Sequence, residues 1–80
     1  MSDYKPVDCA FYSRFELAIL RRQRLLVSWH DTDGVSHLET LVPRDLKTRE
    51  GAEYLLAETL AGGRLRLRLD RIQSARPTSR

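Results

Sequence analysis

The chain has 80 residues, with 14 Lys and Arg against 11 Asp and Glu for a formal charge of +3, and one cysteine. A chain this short supports one domain around one core. It has no apolar run near the roughly 20 residues that span a bilayer, no leader pattern in "MSDYKPVDC", and no partner for an internal disulfide at Cys9. These features predict a cytoplasmic protein without membrane association.

The charge is uneven. Residues 62–80 carry Arg64, Arg66, Arg68, Arg71, Arg76 and Arg80 against Asp70, whereas residues 1–16 carry Lys5 and Arg14 against Asp3, Asp8 and Glu16.

Residues 1–7 lack periodicity, contain Pro6 and read as an extended arm. A helix follows, ending near Arg22, with two competing starts. One is Asp8 as N-cap; the other is Ser13 with Glu16 three residues on, a capping box. Phe11, Phe15, Ala18 and Ile19 form a single apolar stripe, and Arg21, Arg22 and Arg24 complement the helix dipole. Cys9, at the helix entry, is expected to pack against the core rather than act as an activated thiol.

The remainder reads as strands. "RLLVSWH" runs into a hairpin turn at "DTDG". "VSHLETLV" alternates Leu38, Thr40 and Val42 with His37, Glu39 and Leu41 until Pro43 marks a bend or an edge. "RDLKTREG" reads as a polar connection, "AEYLLAETL" as a strand, and "AGG" as a turn. In the last strand Leu65, Leu67 and Leu69 point inward and Arg64, Arg66 and Arg68 outward, with a bulge near Asp70 turning Ile72 in and Arg71 out. Residues 75–80 read as a disordered polar tail, leaving 8–74 as the single domain. One helix and four or five strands in this length predict a mainly β, α+β fold: a small, curved antiparallel barrel with the helix across one opening. Its core should join Phe15, Val27, Leu55, Leu65, Leu67 and Leu69.

Two readings of the arginine row are open. With a three-residue "AGG" loop, Leu60 falls opposite Arg64, Glu58 opposite Arg66 and Glu53 opposite Arg71, so the row is a solvated face with cross-strand acidic neighbours. Alternatively Arg64, Arg66 and Arg68 bind RNA or DNA phosphates, with Tyr54 and Tyr12 as the available aromatics. His30, Asp31, Asp33 and His37 bracket the hairpin turn in no metal-binding spacing and read as polar turn residues. No nucleophile elbow or glycine-rich phosphate loop is present, so neither an enzyme nor a bound cofactor is expected.

The segments "YKPVDCAFYSRFELA", "DG", "EYL" and "LRLDRI" resemble, in order and separation over about Tyr4 to Ser74, the Rof (YaeO) family of bacterial Rho-binding antiterminators. That resemblance implies an Sm-like barrel and a monomeric inhibitor that occupies the primary RNA-binding site of transcription termination factor Rho. It also implies Rho contacts at Asp8, Tyr12 and Glu16 on the helix and at Arg49 in the loop before the third strand. "EYLLAETLAGGRLRLRLDRI" also distantly resembles the strand pair of WYL regulatory domains.

Overall fold

The structure is a computed structural model that describes residues 4–78. Helix α1 spans Cys9–Leu20, and Asp8 wins the competition for its start: its carboxylate accepts from the Phe11 N–H at 2.9 Å. Ser13 and Glu16 therefore lie in the helix interior, and no capping box forms. The earlier start brings Phe11 onto the helix, where its ring meets Phe15 edge to face at 5.0 Å. Arg22 closes the far end in the left-handed region, φ 52°. The Gln23 N–H reaches the Ala18 carbonyl and the Arg22 N–H that of Ile19, a Schellman motif built without glycine. Cys9 is exposed, which corrects the expectation that it packs against the core.

Five antiparallel strands follow: β1 Leu25–His30, β2 Ser36–Arg49, β3 Ala52–Thr59, β4 Arg64–Arg68 and β5 Ile72–Pro77. They form one sheet in the order β4-β3-β2-β1-β5. β4 and β5 are its edges, so the sheet is not closed by a β4–β5 ladder, and the finished barrel expected from the sequence is corrected to this extent. A 3-10 turn, Leu69–Arg71, carries the chain from one edge to the other.

Three sequence expectations change. The polar stretch after Pro43 is strand, not connection: β2 continues to Arg49, and only Glu50 and Gly51, both at positive φ, make the hairpin loop. Pro43 sits at a bulge between Pro43 and Asp45, so its missing N–H does not end the pairing. Second, the β3–β4 loop is Leu60–Ala61–Gly62, with Thr59 bonded to Gly63. Gly62 takes φ 95°, and the register places Glu58 opposite Arg64, Leu56 opposite Arg66 and Tyr54 opposite Arg68. The slip of two residues keeps the faces but changes every neighbour of the row.

Third, the phase shift at Asp70 is a turn between two strands rather than a bulge within one. Its result is β5, where a disordered tail was expected from residue 75. Ala75 is buried opposite Val27, and the Arg14 guanidinium donates to the Ala75 carbonyl at 2.8 Å. Pairing with the open side of β1 satisfies the backbone, so one small buried side chain suffices in a polar stretch. Residues 79 and 80 of that tail lie outside the described residues.

The core lies between α1 and the sheet: Phe15 and Ala18 meet Leu25, Val27, Trp29, Leu41, Leu55, Leu67, Leu69 and Ile72, with Leu65 half-buried at its margin. Of the expected arm, residues 1–3 lie outside the described residues, and the stretch from residue 4 to 7 is docked on the sheet and the turn. The Tyr4 hydroxyl donates to Glu53 at 2.9 Å, and the Lys5 N–H donates to Asp70 at 3.1 Å.

Candidate functional site

The β1–β2 turn is organised by one carboxylate. Asp31 accepts from the N–H groups of Asp33 and Val35, both at 2.9 Å, while its other oxygen meets His37 Nε2 at 2.8 Å. Gly34 supplies the positive φ that the turn needs. The His37 hydrogen bond, and after it the Val35 N–H, hold the Asp31 carboxyl below the ordinary carboxylate range. His37 is thereby laid flat on Trp29, ring centres 5.1 Å apart and planes 15° from parallel. Sequence spacing pointed to this group as turn residues, but the Trp29–His37 stack was invisible to it, because it depends on a cross-strand register.

Trp29, His37 and Glu39 form one wall of a cleft of about 450 Å³ whose other wall is Leu65 to Arg68 of β4 together with Arg71. The arginines of the row do not share one fate. Arg68 is 16 % exposed and is clamped to Asp70 through two bonds of 2.7 and 3.0 Å. Arg64 faces Glu58, but that carboxylate is engaged by Arg44 at 3.0 Å. Arg66 lies 5.1 Å over the Tyr54 ring. Arg64, Arg66 and Arg71 have no salt bridge among the described residues. Arg66 also lines the groove with Arg64 on the outer face of β3–β4 and a second groove with Tyr54 and Arg49. It is the residue common to all three concavities. No group of three or more His, Cys, Asp or Glu is placed to hold a metal ion among the described residues.

Of the residues assigned to Rho contact, Tyr12 and Glu16 line one groove and Arg49 another. Asp8 is occupied as the helix cap. Tyr12 is half-buried and lines a groove with Glu16, Asp45 and Leu46, where burial first and then Glu53, Glu16 and Asp45 raise its phenol pKa. Arg49 lies in a different groove with Glu50, 3.6 Å away, and Tyr54. Of the two aromatics nominated for the arginine row, Tyr54 lies under it and Tyr12 does not.

A family model described as the WYL domain matches residues 10–77. Among solved structures, proteasome accessory factor B/C (PafBC) of Arthrobacter aurescens is similar with a TM-score of 0.80 at 19 % identity. The match covers 98 % of this chain and 13 % of that one, so the chain spans a small part of the solved protein's length. Comparison with curated protein sequences gives no match. The family match corrects the resemblance to the Rof (YaeO) antiterminators. The motifs that carried the resemblance serve the fold: Asp8 caps α1, Tyr4 ties the arm to Glu53, and alternate leucines of "LRLDRI" fill the core. Such motifs say nothing about a partner, and inhibition of Rho loses the support it had.

Proposed function

The chain belongs to the WYL domain family, and on that premise we propose that it is a ligand-sensing regulatory domain whose ligand is a single-stranded nucleic acid bound at the cleft beside β4. The observation that carries this reading is the placement of Arg66. Its guanidinium is stacked on Tyr54 and free of any acidic partner among the described residues, between Arg64 on the outer face and Arg71 at the cleft. Unpaired guanidinium groups neutralise phosphates, and the neighbouring rings of Tyr54 and His37 offer π-faces to bases. Stacking on Tyr54 preorganises Arg66, an arrangement worth about 0.5 to 1 kcal/mol at an exposed site.

The sheet is read here as an Sm-like, incompletely closed barrel. Support comes from the three-residue turn that joins its two edge strands, which requires strong curvature. The cleft is the gap that incomplete closure leaves between the β1–β2 hairpin and β4.

Titration with a short single-stranded oligonucleotide at low salt, followed by amide chemical shifts and Trp29 fluorescence, tests the reading. Shifts centred on Tyr54, Arg66, Arg71 and His37 are expected. Saturable binding mapped to another face, or no binding at low salt, overturns it.

A further inference from the structure

We propose that the first half of β2 is an interface through which two copies of this chain pair edge to edge. β2 outruns β3: its pairing with β3 starts at Leu41, whereas its pairing with β1 covers Ser36 to Leu41. From Ser36 to Thr40, β2 therefore has no neighbouring strand on the side away from β1 among the described residues.

The hydrogen-bond phase identifies which groups are open. The Asp31 N–H bonds the Val35 carbonyl, so in the alternating ladder Val35, His37, Glu39 and Leu41 point their backbone groups at β1. Ser36, Leu38 and Thr40 point theirs outward. A regular row of open donors and acceptors pairs with another strand unless it is guarded by proline, lysine, a bulge or a covering element. This segment contains neither proline nor lysine, and it shows Leu38 at 67 % exposure.

The occupant is a second copy because the segment is complementary to itself. An antiparallel pairing centred on Leu38 sets Leu38 opposite Leu38 of the second copy as a hydrogen-bonded pair, and Ser36 opposite Thr40. The three outward N–H groups of each copy then find acceptors. The same register places His37 opposite Glu39 in both directions, in the close, non-hydrogen-bonded type of pair where side chains interact most strongly. A shift of two residues either way breaks both His–Glu pairs and leaves a Leu38 unmatched. With Nε2 on Asp31, Nδ1 faces the second copy's Glu39 and donates to it when the ring is doubly protonated.

Sedimentation velocity on the 80-residue chain, from about 1 μM to about 1 mM, reads the equilibrium directly, since self-association follows mass action. The wild type is expected to pass from monomer to dimer. Leu38→Pro removes an outward N–H and no bond to β1, and Glu39→Lys removes the carboxylate that faces His37; each should weaken dimerisation at least tenfold. Hydrogen exchange supplies a readout that needs no variant. The Ser36, Leu38 and Thr40 amides should gain protection with concentration, while His37 and Glu39 are protected at every concentration. A wild type that stays monomeric overturns the proposal. So does a dimer that leaves the Ser36, Leu38 and Thr40 amides unprotected, or one that persists in Glu39→Lys and in folded Leu38→Pro.

Discussion

Arg66 and Arg68 are two residues apart on one strand, alike in type and direction, and they live in different surroundings. Around Arg68 everything is tied: two bonds to Asp70, the Lys5 N–H on the same carboxylate, and the Tyr4 hydroxyl on Glu53 across the strands. Around Arg66 there is a ring to lie on and, among the described residues, no carboxylate bonded to it, beside a cleft. The difference comes from what surrounds the site in space, not in sequence: the 3-10 turn brings Asp70 to Arg68, the N-terminal arm brings the Tyr4 ring to within 5.9 Å of it, and both stop there. Regular spacing says where side chains point, and only the neighbours decide which of them are spent on folding.

The comparison can be broken first at its foundation. Leu69 begins the turn that carries Asp70 and is fully buried. Leu69→Ala should cost about 2 to 5 kcal/mol in denaturant unfolding, because it leaves a cavity where the two sheet edges are joined. Leu38→Ala at the exposed edge should stay within about 0.5 kcal/mol. Next comes the pair itself. Arg68→Ala strands a carboxylate that is 9 % exposed and should destabilise by roughly 1.5 to 3 kcal/mol, whereas Arg66→Ala gives up only the stack on Tyr54 and should cost at most about 1 kcal/mol. Equal losses from the two substitutions would erase the distinction.

A smaller effect sharpens the tied region. Burial, and then Glu53, raise the Tyr4 phenol pKa well above its ordinary value. A group whose folded pKa is raised contributes stability that is complete below the unfolded pKa, about 10, and is lost as pH rises above it. In an ultraviolet titration Tyr4 should therefore ionise above the ordinary tyrosine range, and Tyr4→Phe should cost about 1 kcal/mol at neutral pH while flattening the alkaline loss. The smallest expected effect lies outside both regions: Arg22→Gly should stabilise by about 0.5 to 1 kcal/mol in a thermal melt, since the Schellman position is left-handed and glycine adopts it freely.

The helix stripe, the hairpin at Asp31 to Gly34 and the inward leucines of β4 were legible in the sequence because each rests on local period or local turn chemistry. β5 and the second half of β2 were not, since their place is set by backbone pairing with a distant strand and by single apolar residues, buried Ala75 and half-buried Leu46, that leave no periodic trace. The site was half legible. Arg64, Arg66 and Arg68 stood out as a row, but the clamp on Arg68 depends on a turn, and the cleft wall of Trp29 and His37 on a cross-strand register. The family resemblance misled for a related reason, since the residues it matched are capping, docking and core residues.

The central claim, that the unpaired arginines of this cleft take phosphate charge, is tested most directly by the salt dependence of single-strand binding in wild type, Arg66→Ala and Arg71→Ala. Each phosphate contact contributes about 0.7 to the slope of log affinity against log salt, so each substitution should lower the slope by about that amount. An unchanged slope in both variants, with binding retained, would contradict the claim.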